Sequence, residues 1–496
     1  MKKHLITIVI LSIGFFASCK KSDLTTETSS ISLATDSTVS KTISGQFVPG
    51  ELLVKFKAGT SEKSRTQTLS FINGKVAEHI FTTAMESAGD KQGVYLINTT
   101  TDVFSAIARM KGESNIEYAE PNWIYHHMQM AAKPTATDYY FSTDGLLWGM
   151  YSKEHNISGS NGNSYVDHAN PYGSQANKAW ANGHKGSKEV YVGIIDEGYM
   201  YNHEDLVANA GKNLKEAIGK AGADDDGNGL VDDIYGWDFA NNNNSVFDGT
   251  DDDHGTHVAG TIGASGSANG LNNGKVVGVC WNVSLLNAKF LGRNGGTTAN
   301  AIKSVDYFTD LKKAQNLNIV ATNNSWGGGG YSQGLYDAIE RANNAGILFI
   351  AAAGNDASDN DAVANYPSNY SNANIIAVAA LDPLGALAYY SNYGATKVDL
   401  GAPGSGIYST VPVGSRKVSS GYAKYGGTSM ATPHVTGAAA LYAATYNLRP
   451  IDAVGAASLK KAILDAARAT LTPSLNTTET SPKKCETGGR LNVSEF

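Results

Sequence analysis

Four nearly unbroken apolar runs constrain this chain more than anything else in it: Glu189 to Ile195, Leu317 to Ala321, Ile347 to Ala353 and Ile375 to Ala380. A strand that shows one face to water alternates polar and apolar residues, so these runs predict strands buried on both faces. Stretches of helical character separate them, which predicts an α/β fold of three layers, a mostly parallel sheet with helices on both faces. In such sheets ligand-handling groups collect beyond the carboxyl ends of the strands. The residues that follow each run are therefore the first candidates for chemistry.

Asp196 directly follows the first run, with Glu197-Gly198 behind it. His254 opens His254-Gly255-Thr256-His257-Val258-Ala259-Gly260-Thr261, a small-residue stretch with helical character. Ser429 lies in Gly427-Thr428-Ser429-Met430-Ala431-Thr432-Pro433-His434, at the head of an almost wholly apolar helix. Pro433 fits that helix only in its first turn, where no backbone donor is lost. A serine hydroxyl is a weak nucleophile near neutral pH and needs a base to take its proton. An imidazole suits that role, and a carboxylate fixes its tautomer and stabilises the imidazolium. Asn355, in Ala352-Ala353-Gly354-Asn355-Asp356 after the third run, and the N–H of Ser429 at its helix start could hold an oxyanion. His257 lies three residues after His254, but no third metal-ligand motif accompanies the pair, so it is read as structural, as is His434.

On these motifs, and on the chain order Asp, His, Ser, residues 131 to 496 resemble the subtilisin-like serine peptidases. The resemblance implies a catalytic triad of Asp196, His254 and Ser429 with Asn355 as oxyanion donor. It implies that Ser325-Trp326-Gly327 forms one wall of a cleft for extended peptides, and that Gly354 and Asn365-Tyr366-Pro367 line the primary specificity pocket. Trp326 would add a second apolar subsite, or else sit in the core. The family usually carries Ser or Thr after the catalytic aspartate, whereas this chain has Glu197, and a second carboxylate there would raise the pKa of His254. An α/β-hydrolase esterase fits less well, because that fold expects Gly-x-Ser-x-Gly with the acid and the histidine after the serine. A catalytically silent binding protein on the same fold is the rival from outside enzymology.

The 496 residues leave room for smaller units before the peptidase-like part. Lys2 and Lys3, the apolar stretch Leu5 to Phe16 and the small pair Ala17-Ser18 read as a signal peptide over 1–18. Cys19 behind them resembles the lipidated cysteine of bacterial lipoproteins, with an ordinary secretory signal as the alternative; either reading places the mature protein outside the cytoplasm. Residues 19–44, rich in Ser and Thr, read as a tether. From 45 to 130 an alternating run at Gly50 to Phe56 and a helical one at Val103 to Met110 predict a small α+β domain, with Pro121 marking a final edge strand. By the resemblance this is a propeptide, an inhibitor whose C-terminal segment lies in the active-site cleft and is cut between His126 and Thr137.

Asp224-Asp225-Asp226-Gly227-Asn228-Gly229-Leu230-Val231-Asp232-Asp233 carries oxygen ligands at alternate positions, as calcium loops do. Asp224, Asp226, Asn228, Leu230 and Asp232 are the expected ligands, although Tyr235 stands where a bidentate carboxylate is usual; a solvated acidic turn is the alternative. Gly270-Leu271-Asn272-Asn273-Gly274 resembles a second calcium loop of the family. Cys280 and Cys485 could pair in an oxidising compartment or remain separate thiols. The net charge of -7 offers no basic field for nucleic acid. Protein or peptide substrates, the chain's own propeptide and a monomeric state are expected, with membrane contact only through a lipid anchor.

Overall fold

Leu52, Leu53, Val54 and Phe56 are fully buried, so the first strand, β1 (Gln46–Phe56), needs cover along its second half. The cover comes from α1 (Glu62–Ser70), β2 (Lys75–Ile80), α2 (Thr83–Ser87), β3 (Val94–Asn98), α3 (Val103–Met110) and β4 (Ile116–His127). The side chains of Ser61, Thr82 and Asp102 cap the three helices, and α3 buries Val103, Ala106, Ile107 and Met110 along one stripe. The strands pair antiparallel in the order β4, β1, β3, β2, the expected α+β domain. β4 is the final strand of the domain, paired with β1 alone as far as Pro121, but beyond it the strand takes further partners. Pro121 lies where the β1–β4 register shifts, a place where a missing N–H is tolerated, and the strand runs on to His127.

The computed structural model describes residues 45–129, 147–150, 170–265, 276–477 and 482–496, with the backbone of two paired strands, β5 (Ile157–Ser158) and β6 (Ser164–Tyr165). The leader, Cys19, the tether, residues 130–137 and the Gly270 to Gly274 loop lie outside the described residues. The second part of the chain comprises α4 (Ala176–Ala181), β7 (Gly186–Asp196), α5 (Leu214–Ile218), β8 (Gly236–Asp238), α6 (Asp253–Gly263), β9 (Asn282–Lys289), β10 (Gly296–Thr297), α7 (Thr298–Gln315), β11 (Asn318–Asn324), β12 (Trp326–Gly327), α8 (Gln333–Asn344) and β13 (Leu348–Ala352). It continues through β14 (Ile375–Leu381), β15 (Leu400–Pro403), β16 (Ile407–Val413), β17 (Ser419–Tyr425), α9 (Thr428–Thr445) and α10 (Ala453–Arg468).

Its centre is a seven-stranded sheet in the order β15, β14, β13, β11, β7, β9, β8, parallel throughout. All four apolar runs lie in it, and β13 and β14 are buried at every residue. The chain runs from β7 to β9 and β8 on one side and to β11 and β13 on the other, so the order reverses at β7. Such a reversal opens a crevice at the carboxyl ends of the flanking strands. Asp196 closes β7, Ser325 follows β11, and Gly354-Asn355 follow β13.

The central helix α9 is buried on nearly every side and packs on the sheet and on α6. Pro433 is its sixth residue, beyond the first turn where it was expected. Cys280 and Cys485 are unpaired and buried in separate apolar clusters, so the disulfide left open by the sequence does not form here. No described helix is long and apolar enough to cross a membrane.

Candidate active site

The end of β7 and the first turn of α6 bring a carboxylate and an imidazole together. His254 Nδ1 donates to Asp196 Oδ1 at 2.9 Å, and both side chains are buried. The second imidazole nitrogen, Nε2, is buried without a partner. Burial alone would pull the His254 pKa down; Asp196 first, then Glu197 and Asp253, outweigh it and raise it. A buried histidine raised by a carboxylate and with one nitrogen open is equipped to take a proton.

Ser429 is the second residue of α9, so its N–H is one of the unpaired donors of a helix start. That N–H donates to the carbonyl of Met128 at 3.2 Å, while the Met128 N–H donates to the Ser325 carbonyl at 3.0 Å. The Ser429 hydroxyl also donates to the Ser325 carbonyl, at 2.9 Å. Asn355 is fixed by its oxygen, which accepts the Thr428 N–H and hydroxyl, both at 2.9 Å, leaving its buried Nδ2 without a partner. The Met128 oxygen and Asn355 Nδ2 flank the same face of Gly427, where a Cβ would meet both. The Ser429 N–H donates to the Met128 carbonyl, and Asn355 Nδ2 is a second, unengaged donor on the same side of Gly427, a pair suited to holding an oxyanion.

Met128 is there because β4 does not stop with its own domain. Beyond the N-terminal sheet it lies antiparallel between β10 and β12, with Tyr125 opposite Gly296, His126 opposite Gly327 and His127 opposite Trp326. Residues 125–128 therefore occupy a cleft as an extended peptide would, through backbone pairing on both edges. The Met128 methyl reaches Gly327, with Asn365 alongside, and the Asn365 amide donates to the Ala353 carbonyl at 2.7 Å. Gly354 has φ +116°, and a Cβ there would strike Asn365 and Asn392. Trp326 is fully buried, as the core alternative has it, and carries the Tyr125 ring edge-on at 5.1 Å. The His127 ring lies 4.6 Å from that of His254. Sequence reasoning anticipated a segment in the cleft but not which residues fill it; His127, Met128 and Gln129 carry no motif of their own.

His257 and His434 are structural, as expected. His257 Nε2 donates to the Ile407 carbonyl at 2.9 Å and stacks on Tyr425, and His434 Nδ1 donates to the Met430 carbonyl at 2.8 Å. The acidic loop differs in detail from its pattern. Glu216, Asp226 and Asp233 bring carboxylate oxygens within 4.8 Å of one another, and Asp224 and Asp232 are not part of that group. Asp224 accepts the N–H groups of Gly227, Asn228 and Gly229, Asp232 accepts that of Gly222, and the Leu230 N–H donates to Asn228. Glu216, nearly buried, lies eight residues before the loop, where the pattern could not reach it. The donors to the three carboxylates are neutral: Asn213, Asn228, Gln315, Tyr307 and backbone N–H groups. Burial first, then the like charges of Asp226 and Glu216, push Asp233 up to about 7. Hard oxygen donors at this spacing suit calcium.

The subtilase family model matches residues 187–487, and the model of the fervidolysin N-terminal prodomain matches residues 33–122. Among similar proteins, "Thermophilic serine proteinase" of Bacillus sp. (strain AK1) is 30% identical over 400 residues, 80% of this chain and 79% of that protein. "Subtilisin-like protease 1" of Plasmodium vivax is 37% identical over 266 residues, 50% of this chain but only 39% of its own length. "Subtilisin DY" of Bacillus licheniformis is 36% identical over 280 residues, 56% of this chain and 85% of that protein. The crystal structure of fervidolysin from Fervidobacterium pennivorans superimposes with a TM-score of 0.60 at 21% identity, over 90% of this chain and 61% of that one, which speaks to the fold. With a family match over more than half its length, the chain belongs to the subtilase family.

Proposed function

We propose that this chain is a serine endopeptidase made as a self-inhibited precursor, with Ser429 as nucleophile, His254 as general base, Asp196 as the carboxylate that orients it, and Asn355 with the Ser429 N–H as oxyanion donors. One observation carries the reading: the Met128 carbonyl rests on the Ser429 N–H at 3.2 Å, at the end of a strand paired into the cleft. In that register the scissile bond is Met128–Gln129. The Ser429 hydroxyl leaves the Ser325 carbonyl, turns to His254 Nε2 and attacks the Met128 carbonyl carbon as its proton passes to the imidazole. The oxyanion is held by the Ser429 N–H and Asn355 Nδ2; the imidazolium then protonates the nitrogen of Gln129 as the C–N bond breaks, and water, activated by the same histidine, hydrolyses the acyl-enzyme.

The wild-type chain is expected to yield a product beginning at Gln129, read by mass spectrometry, while Ser429→Ala stays uncut. Equal processing of both would defeat self-cleavage. Labelling of Ser429 by a fluorophosphonate probe separates a peptidase from a silent binding protein on the same fold.

Glu216, Asp226 and Asp233 would hold a calcium ion, which supplies positive charge that the cluster lacks. A chelator should then lower the melting temperature, by the equivalent of about 2.7 kcal/mol for a site saturated a hundredfold above its Kd. Asp233→Asn should abolish that response, and an unchanged wild-type melt in chelator would remove the ion from the account. The leader and Cys19 support an exported, lipid-anchored protein; Cys19→Ser should then release it from the membrane fraction.

A further inference from the structure

Glu197, which stands where the family usually has a small hydroxyl residue, is nearly buried beside the triad, yet the hydrolysis just described makes no use of it. Its backbone N–H donates to Asp196 Oδ1 at 2.8 Å. Its side chain turns the other way, and Oε1 accepts the backbone N–H of His254 at 2.6 Å. His254 is the second residue of α6, whose N-cap residue, Asp252, makes no side-chain cap bond. The Asp252 carboxylate is engaged by Lys289 and by the Asp248 N–H instead. The first-turn N–H that a cap would satisfy is thus left to Glu197. One residue holds both members of the charge pair, Asp196 through its backbone and His254 through its side chain.

The charged and titratable groups around Glu197 are Asp196 on its own strand, His254 and Asp253 on α6, and Tyr425 on the β16–β17 hairpin, whose hydroxyl donates to Asp253. We propose that Glu197 is a positioning residue of the triad: its carboxylate caps α6 at His254, holds the imidazole in register with Asp196, and sets a second negative charge against the imidazolium. This rests on the reading of His254 as the base. Burial raises the Glu197 pKa, the charge of His254 opposes that, and a charge on Glu197 raises the pKa of His254 in turn, so the two titrate as a coupled pair. The working base is neutral histidine, so a carboxylate at 197 moves the acid limb of the pH–rate profile upward, and removing the charge moves it downward.

The test uses self-processed enzyme, a peptide substrate and kcat/KM measured against pH for wild type, Glu197→Gln and Glu197→Ala. Glu197→Gln keeps an acceptor for the His254 N–H but loses the charge. Its acid limb should fall by about half a pH unit or more, with kcat reduced a few-fold and KM unchanged. Glu197→Ala loses both, and kcat should fall about tenfold or more at constant KM. An acid limb of Glu197→Gln that superimposes on wild type overturns the charge role, and Glu197→Ala with a lower melting temperature but unchanged kcat overturns the positioning role. If Glu197→Ala does not fold, the Glu197→Gln profile decides alone. Wild-type enzyme that fails to label with a fluorophosphonate would sink the serine mechanism itself, an outcome separate from a labelled enzyme with unmoved pH limbs.

Discussion

Pro433 has no N–H to give the carbonyl four residues back in α9, and that carbonyl belongs to Ser429. Ser325 supplies the missing donor: its hydroxyl reaches the Ser429 carbonyl at 2.9 Å and in turn accepts Asn323 Nδ2 at 2.9 Å. The backbone of Ser429 is therefore pinned from the end of β11 and released from its own helix. Ser325→Ala should leave a buried carbonyl unpaired and cost about 1–3 kcal/mol. Pro433→Ala returns a helical N–H, so the same serine substitution should cost less in that background. A double-mutant cycle by chemical denaturation, run on Ser429→Ala protein to prevent self-digestion, reads the coupling; equal costs in both backgrounds would refute it. Asp196 and Asn355 were legible in the sequence as candidates because each follows an apolar run, and His254 and Ser429 because each opens a stretch of helical character, the four being of the types that amide hydrolysis would use. The depth of Pro433 was not, since the rule against interior prolines assumes that nothing else can satisfy the orphaned carbonyl. The free cysteines were beyond reach for a different reason: spacing along the chain says nothing of Cys280 and Cys485 being buried in separate clusters.

At the scale of elements, the parallel sheet was legible because β7, β11, β13 and β14 have no polar face to offer water, and that alone requires cover on both sides. The resemblance implied a segment in the cleft, but the register of β4 there was not legible, because its last residues pair outside their own domain and register between distant segments leaves no local pattern. What receives them is a glycine tract. Gly327 faces Met128, Gly329 faces the Tyr125 ring and Gly330 faces the Trp123 indole, so bulky side chains of the strand rest against bare Cα atoms. Gly329 has no left-handed backbone requirement, so a side chain there acts through space alone. Gly329→Val should overfill the Tyr125 position at a cost of about 1–3 kcal/mol, slowing self-processing roughly tenfold or more. Tyr125→Ala in the same chain should restore much of the rate. On peptides, Gly329→Val should penalise tyrosine relative to alanine four residues before the cut; an equal loss on both peptides would mean the tract shapes the backbone and not the choice of side chain.

For the molecule as a whole, a cut at the proposed Met128–Gln129 bond should not by itself free the enzyme, because the N-terminal domain is also held by contacts far from that bond. Glu120 accepts the Ser332 hydroxyl at 2.7 Å and the N–H groups of Gln333 and Gly334 at 2.7 and 3.2 Å, closing the start of α8. Thr82 donates to Asp306 at 2.7 Å, where Asp306 is already paired with Arg341, and Lys303 meets Glu78 at 2.8 Å. Release of the N-terminal domain should therefore set the onset of activity, and two groups give it a pH dependence of opposite sign. Burial pushes Glu120 up to about 7 from 4.5, only partly offset by its donors, so the complex binds a proton there and weakens as pH rises through that window. Burial, then the charge of His254, push His127 down to about 4 from 6.5, so the complex sheds a proton there and weakens as pH falls. Between pH 4.5 and 6.5 the two slopes oppose each other, and wild-type release should be nearly flat. His127→Ala should leave release that quickens with rising pH, and Glu120→Gln should leave release that quickens with falling pH. The delay between self-cleavage and peptidase activity, followed across that range, reads both slopes; flat profiles in both variants would show that the hold of the N-terminal domain is set by its uncharged contacts.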